Sequence, residues 1–360
     1  MTKVQMTPEN VQGLSTSRRN LMRFAAFTGA ASAATLISTA SSSSPAHASD
    51  ASSNIFPPEL TYPTINGPSL ALWGSSSFEG AQADQGVPAG FNATIEALLH
   101  TYLEAPVLNF GRGGETSTQI NARRGTPESM YKLVFPQDTI PASGSVEVTL
   151  ASDSNVAWGG STLAAGYVGG VPGVLVPASK NTFIFTRQVD GEAIYAPATT
   201  PASWFHSYQE MISRSSYHII QIGRNNMNET EQIRKDTVHA FALAPKRTLV
   251  MGHFRSRSDS KDSDRAKQVN GYNAWAAEKY GELFVNPETF LRETTQESWL
   301  RYGALSGSGV WSSDTDRKAY DEGKIPPSLF SADGLHLNGW GYIALAQMLY
   351  YKVTGLGWFE

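Results

Sequence analysis

Short apolar runs alternate with amphipathic segments along most of the chain. Residues 69–73 form an apolar run that stops at Gly74, as expected of a buried strand. Residues 92–104 place Ile95, Leu98 and Leu99 on one face at helical spacing, and residues 106–110 form a second short apolar run. Beyond residue 202 the pattern predicts a helix at 203–213, a strand at 217–222, a helix at 229–244, a strand at 248–254, a helix at 265–280, a strand at 283–285 and a helix at 339–354 that Gly355 is placed to cap. This alternation predicts an α/β fold, with a mostly parallel sheet covered by helices on both faces.

The pattern changes between about residues 125 and 201. Val146, Val148 and Leu150 alternate with polar residues, and paired glycines and Asp190-Gly191 mark turns. We therefore expect a small β-rich insertion at about 125–201, within one domain that spans residues 69–360.

The first 48 residues have the features of an export signal. Arg18 and Arg19 resemble a twin-arginine motif, an apolar stretch follows, and Ala46-His47-Ala48 offers a signal-peptidase site. We expect cleavage after Ala48 and a linker or N-terminal arm at residues 49–68. An uncleaved membrane anchor is the alternative, but the stretch is short and rich in Ala, Ser and Thr. The mature protein should have no membrane span. The twin-arginine export machinery would then be a partner, and the destination would be secreted, cell-envelope or periplasmic.

Composition narrows the classes of function. Hydrophobic residues make up 41% of the 360-residue chain and charged residues 17%, as in a compact globular protein. The formal net charge of −4 gives no basic excess for a nucleic-acid partner. The chain has no cysteine, which excludes disulfides, thiolate catalysis and cysteine-type zinc sites.

Three glycine-containing or asparagine-containing loops follow predicted strands. Ser76 lies between Gly74 and Gly80, where a tight turn can expose a nucleophilic hydroxyl. The second loop ends in Gly113-Gly114, whose backbone N–H groups can approach a ligand closely. The third loop carries Asn225, whose side-chain amide can donate to an oxyanion without acting as a base. Each loop taken alone is more often an ordinary turn or helix cap than a functional site.

The fourth segment is Asp333-Gly-Leu-His336, just before the last helix. A carboxylate three residues before a histidine can hold its Nδ1–H and leave Nε2 free to accept a serine proton.

These four segments, in this order, resemble the four conserved blocks of the SGNH/GDSL hydrolase family. The likeness covers most of the mature chain and is most specific in Asp333–Tyr342. The resemblance implies a flavodoxin-like three-layer α/β/α sandwich and a catalytic triad of Ser76, Asp333 and His336. It also implies an oxyanion hole formed by Ser76, Gly114 and Asn225, with no metal and no cofactor.

Two positions depart from the family pattern. Ser75 and Asn226 stand where the family usually has aspartate, which leaves the local hydrogen bonding of these loops open. Because Ser75, Ser76 and Ser77 adjoin, the choice of Ser76 depends on its alignment with the flanking glycines.

The same reading suggests a substrate class. Arg112, Arg224 and His253 lie in or near these loops and could contact substrate, although Arg112 could equally pair with Glu115.

An exported esterase that removes acetyl groups from a carbohydrate is the first expectation, with a small-molecule or glycan ester as substrate. A lipase or general carboxylesterase, an acyltransferase and a catalytically silent glycan-binding protein are the alternatives. The sequence does not indicate an oligomeric state.

Overall fold

A computed structural model describes residues 67–152, 164–179, 181–293, 309 and 313–359. The expected signal peptide and residues 49–66 of the linker lie outside this range. The strands are β1 Leu70–Trp73, β2 Val107–Asn109, β3 Tyr131–Val134, β4 Thr139–Ile140, β5 Ser145–Leu150, β6 Ala164–Val168, β7 Val171–Pro177, β8 Thr182–Arg187, β9 Ile194–Tyr195, β10 Trp204–Ser207, β11 Tyr217–Ile220, β12 Thr248–Met251 and β13 Phe284–Val285. The α-helices are α1 Ser76–Glu79, α2 Ile95–Leu103, α3 Ser117–Arg124, α4 Tyr208–Ser213, α5 Thr230–Ala242, α6 Asp264–Tyr280, α7 Pro287–Glu293, α8 Asp314–Asp321 and α9 Gly339–Gly355.

Five parallel strands form the central sheet, in the order β13-β12-β11-β1-β2. Counted by their appearance in this sheet, the strands run 2-1-3-4-5, which is the flavodoxin-like order. In such sheets ligands bind outside the carboxyl ends of the strands, where the winding direction reverses. Here that point lies between β1 and β11.

The central strands are buried on both faces. In β1, Leu70 and Leu72 pack into one core with α2, α7 and α9, whereas Ala71 and Trp73 pack into a second core with α3, α5 and α6. Successive side chains of a strand point to opposite faces, so a continuous apolar run is required when helices cover both sides. This confirms the predicted three-layer α/β/α sandwich.

The helices begin at polar residues that satisfy free backbone N–H groups. Thr94 accepts from the N–H of Ala97 before α2, and Asn338 accepts from the N–H of Gly341 at the start of α9. The prediction that Gly355 caps α9 is wrong, because Gly355 is still helical. Gly357 instead adopts a positive φ of 70° after the helix, where its N–H donates to the carbonyl of Thr354.

The β-rich segment closes into a six-stranded antiparallel barrel, in the order β10-β3-β5-β8-β7-β6, and β4 pairs separately with β9. The barrel extends to Ser207, so the predicted helix at 203–213 is wrong in its first half. Trp204–Ser207 pairs with β3 and β6, and α4 begins only at Tyr208. The interior of the barrel is filled by apolar side chains, among them Tyr131, Leu133, Phe135, Val148, Leu175, Phe183, Phe185 and Phe205.

Two buried histidines should make the fold sensitive to acid. Burial lowers the pKa of His218, and the nearby Arg124 lowers it further. Burial and the nearby Arg224 lower the pKa of His253 to about 3. The Nδ1 of His218 faces the indole nitrogen of Trp73 at 3.3 Å and Arg124 at 2.9 Å, a site suited to a neutral ring.

Below an unfolded-state pKa of roughly 6.5, the unfolded chain binds protons that the folded chain excludes. We therefore expect the free energy of unfolding to fall on acidification, by up to about 1.4 kcal/mol per pH unit for each histidine. Urea unfolding of wild type and His218→Gln between pH 7 and pH 5 measures this, and the variant should show the shallower slope. Equal slopes would contradict this account of His218.

Candidate active site

Ser76 is the first residue of α1 and follows β1 after two residues. A side chain at Gly74 would place its Cβ 2.5 Å from the ring of Phe78, so the tight turn needs glycine there. Ser75 and Ser77 are completely buried, whereas Ser76 is partly exposed. Ser76 is therefore the one hydroxyl of the three that faces the surface.

The structure brings Ser76, His336 and Asp333 together. The Oγ of Ser76 lies 2.9 Å from Nε2 of His336, and Nδ1 of His336 lies 2.7 Å from Oδ2 of Asp333. A serine joined in this way to an imidazole, which is in turn oriented by a carboxylate, can transfer its proton as it attacks an electrophile.

Asp333 is held by four hydrogen bonds. Its Oδ1 accepts from the hydroxyl of Ser331 at 2.7 Å and from the N–H groups of Leu335 and His336 at 2.8 and 2.9 Å, and its Oδ2 faces the imidazole. Partial burial works to raise the pKa of Asp333, but hydrogen bonds from the side chain and N–H of His336, from Ser331 and from Leu335 hold it well below its ordinary range. The carboxylate is thus kept ionised and fixed in direction.

The segments that carry Ser76 and His336 are tied to each other beyond the triad. The N–H of Gly339 donates to the carbonyl of Gln85 at 2.8 Å, and the indole of Trp340 donates to the carbonyl of Gly86 at 2.7 Å. The hydroxyl of Tyr342 donates to the carbonyl of Ala81 at 2.9 Å. These three bonds join the chain after α1 to the start of α9, so the distance between serine and histidine does not depend on their own contact alone.

The loop after β2 packs directly against α1. Asn109 donates from its amide to the carbonyl of Phe78 at 2.7 Å and accepts from the N–H of Gly111 at 2.9 Å. The N–H of Gly113 donates to the carboxylate of Glu79 at 2.9 Å, and a Cβ at Gly113 would lie 3.8 Å from Cβ of Ser76. The loop therefore lies beside the nucleophile candidate.

The three expected oxyanion donors each keep an N–H without an acceptor in the described part of the chain. The N–H of Ser76, at the start of α1, and the N–H of Gly114 have no acceptor among the described residues. Gly114 has a positive φ of 78°, a conformation that favours glycine. Asn225 donates from Nδ2 to the carbonyl of Glu115 at 2.7 Å, which leaves its second amide hydrogen for a ligand.

Of the three residues expected to contact substrate, the structure leaves one at the surface. Arg224 is buried and donates to the carbonyls of Phe254 and Leu335 at 2.9 and 2.8 Å. His253 is completely buried, with Nε2 3.0 Å from the carbonyl of Ile222. Contrary to the prediction that they contact substrate, Arg224 and His253 are buried and bind backbone carbonyls.

Arg112 remains partly exposed. Its guanidinium lies 3.6 Å from the carboxylate of Glu115, and burial together with the nearby Arg123 lowers its pKa. This contact is the pairing with Glu115 that the sequence allows as an alternative to substrate contact.

Ser75 and Asn226, the two positions that depart from the pattern of the resembled family, differ in their hydrogen bonding. The hydroxyl of Ser75 has no hydrogen-bond partner among the described residues. Asn226 instead accepts from the N–H of Ser117 at 3.1 Å and donates to the carboxylate of Glu229 at 2.8 Å. The loop of Asn225 is thereby attached to the start of α3.

Sequence reasoning missed several residues that orient this site. The hydroxyl of Ser331 donates to Asp333, and the carboxylate of Glu79 accepts from the N–H of Gly113, although the sequence pattern assigns neither residue a role. Arg123, in α3, binds the carboxylate of Glu115. Only the closeness of Ser331 to Asp333 in sequence could have signalled one of these roles.

The described residues contain neither a metal-binding cluster nor a membrane-spanning helix. No group of three or more His, Asp or Glu side chains in the described ranges is arranged to hold a metal ion. In the same part of the chain no helix has both the length and the apolar character needed to cross a membrane.

Comparison with known proteins finds likeness in structure only. No family model matches the chain, and no curated protein matches it. A lipase/acylhydrolase from Enterococcus faecalis is 10% identical over 80% of this chain and 96% of its own, with a TM-score of 0.39. A member of the lipolytic G-D-S-L family from Veillonella parvula DSM 2008 is 12% identical over 80% and 97%, with a TM-score of 0.35. The SGNH-hydrolase family esterase AlinE4 is 14% identical over 61% and 76%, with a TM-score of 0.30. At these sequence identities and TM-scores the likeness is no evidence for the activity of this chain.

The Asn225 amide gives a prediction of its own. If it binds a developing oxyanion, Asn225→Ala should lower kcat for ester hydrolysis by on the order of 10²–10³ with little change in KM. The matched control is Asn228→Ala, an exposed asparagine three residues further along. Steady-state kinetics on p-nitrophenyl acetate measure both, and a normal kcat in Asn225→Ala would remove Asn225 from the oxyanion site.

Proposed function

We propose that this chain is an exported serine esterase that hydrolyses short-chain carboxylic esters, in particular acetyl groups on a carbohydrate. The observation that carries the proposal is the continuous hydrogen-bond contact from Ser76 through His336 to Asp333. The proposal that the chain is exported rests on the sequence features of residues 1–48.

The proposed reaction has two steps. The Oγ of Ser76 attacks the ester carbonyl while Nε2 of His336 takes the serine proton, and Asp333 stabilises the resulting imidazolium. The oxyanion is bound by the N–H groups of Ser76 and Gly114 and by the amide of Asn225. His336 then gives its proton to the leaving alcohol, and an acyl-enzyme remains on Ser76.

Water completes the cycle. His336 takes a proton from the water molecule as its oxygen attacks the acyl carbon, and the bond to Ser76 breaks with return of the proton to Oγ. The products are a carboxylic acid and the alcohol. Every proton transfer in this scheme is assigned to the protein or to water, so we propose no metal or cofactor.

One observation favours a second candidate, a lipase or general carboxylesterase. Leu335 lies directly before His336 and is 44% exposed, although its backbone is fixed by bonds to Asp333 and Arg224. An apolar side chain held at the surface beside the triad can contact an acyl chain. Arg112, which is partly exposed in the loop before Gly114, would instead suit an anionic group on the substrate.

Release of p-nitrophenol from the acetate, butyrate and octanoate esters distinguishes these functions, together with acetate release from an O-acetylated polysaccharide. Hydrolysis that is fastest for acetate, with acetate released from the polysaccharide, supports the deacetylase. A preference for octanoate supports the lipase, and transfer to an added sugar in preference to water supports an acyltransferase. A folded protein without activity on any ester, and without labelling of Ser76 by a fluorophosphonate, would leave a glycan-binding protein.

A further inference from the structure

A buried ion pair lies immediately behind the Gly114 loop. The carboxylate of Glu115 accepts from Nε of Arg123 at 2.9 and 3.0 Å and from its Nη2 at 2.5 Å. Both side chains are more than nine-tenths buried. Such a pair is costly to break, because the remaining charge would lose its closest partner in a site of low polarity.

The backbone of Glu115 is part of the candidate oxyanion site. Its carbonyl accepts from Nδ2 of Asn225 at 2.7 Å, and its N–H follows directly on Gly114. Arg123 also donates to the carbonyl of Phe110 at 2.9 Å, at the other end of the same loop. One guanidinium therefore holds both ends of the loop formed by residues 110–115.

We propose that the Glu115–Arg123 ion pair positions the Asn225 amide, one of the proposed oxyanion donors. It fixes the carbonyl of Glu115, and that carbonyl sets the direction of the Asn225 amide. Neither charged group touches the substrate. This inference rests on the proposed esterase function.

Residues at the end of the barrel also hold Arg123 in place. The third arm of the Arg123 guanidinium donates to the side chain of Gln209 at 2.7 Å, and the hydroxyl of Ser207 donates to the carbonyl of Arg123 at 2.5 Å. Ser207 ends the last barrel strand and Gln209 lies in α4, just after it. Tyr131, at the start of β3, lies near Glu115, and burial together with that carboxylate raises its pKa. The inserted barrel therefore supports the oxyanion loop from behind.

A double-mutant cycle on Glu115→Gln and Asn225→Ala tests the proposal. If Glu115 acts through Asn225, Glu115→Gln alone should lower kcat on p-nitrophenyl acetate by on the order of 10-fold to 10²-fold, with KM changed less than about threefold. In the Asn225→Ala background the same change should lower kcat by less than about threefold, because the amide it positions is gone.

The chain offers a matched control in a second buried ion pair. Arg255 donates from Nε to Glu288 at 2.7 Å, and the two side chains are as buried as Arg123 and Glu115. Glu288→Gln should lower the thermal midpoint by a similar amount and leave kcat within about threefold of wild type. A structural loss alone would make the two variants behave alike.

Two results would overturn the proposal. One is a Glu115→Gln variant with normal kcat, and the other is a loss of kcat that is fully additive with Asn225→Ala. If Glu115→Gln does not fold, Arg123→Lys in the same cycle gives the same decision, since lysine keeps the charge and loses the two-armed contact. Wild type without any esterase activity would refute the proposed function itself, whereas an active wild type with an additive cycle would refute only the positioning role.

Discussion

Replacement of Ser76 by alanine should abolish ester hydrolysis, with a fall in kcat of on the order of 10⁴–10⁶. The reason is that Ser76 alone of its neighbours has its hydroxyl within hydrogen-bond distance of Nε2 of His336. Without it no acyl-enzyme can form, and only the oxyanion donors and substrate binding remain. Rates on p-nitrophenyl acetate, with covalent labelling by a fluorophosphonate followed by intact mass, measure the loss.

The adjacent serines provide the matched controls. The hydroxyls of Ser75 and Ser77 are buried and have no hydrogen-bond partner in the described part of the chain. Removing an unpaired buried hydroxyl costs little, so Ser75→Ala and Ser77→Ala should keep kcat within about threefold of wild type and a similar thermal midpoint. A Ser76→Ala variant that keeps normal activity, or a Ser77→Ala variant that loses it, would reject Ser76 as the nucleophile.

The parallel core of this fold was predictable because its signals are local. A strand covered on both faces must be continuously apolar, as β1 is, and the helices show one apolar face and polar residues at their starts. The order of strands in the sheet followed from the family resemblance. Its observed 2-1-3-4-5 order agrees with that expectation.

The barrel was predictable only as β-rich sequence. The barrel closes because β10 pairs with both β6 and β3. These strands are far apart in the chain, and no local sequence pattern predicts that they pair. The four residues of β10 are too short a run to distinguish a strand from the start of a helix. Phe205 packs into the barrel core, and Ser207 accepts from the N–H of Glu210 to begin α4. The boundary was therefore set by tertiary contacts.

The sequence located the site loops but not the direction of their side chains. Arg224 and His253 both follow strands that end at the site edge, yet both turn inward to bind carbonyl groups. A position at a strand end fixes where the backbone is, and the side chain goes where its polar atoms find partners. Arg123 shows the converse, since a residue within α3 reaches back to the loop that carries Gly114.

Asp333→Asn should lower kcat by on the order of 10⁴ while the fold stays intact. The hydrogen bonds of Asp333 dictate the outcome. Its Oδ1 accepts from three donors, namely the hydroxyl of Ser331 and the N–H groups of Leu335 and His336. An asparagine placed here must keep its carbonyl oxygen on those donors, so its NH₂ group takes the place of Oδ2 and faces the imidazole.

The imidazole must then change tautomer. Nδ1 of His336 would accept from the asparagine amide, so its proton would move to Nε2, which would donate to Ser76 and could not accept the serine proton. KM should change little, because the binding surface is unaltered. Ser331→Ala is the control, since it removes one donor and leaves the carboxylate, and its kcat should stay within about tenfold of wild type. If Asp333→Asn lowers only the thermal midpoint and leaves kcat within tenfold, Asp333 stabilises the loop and does not set the tautomer of His336.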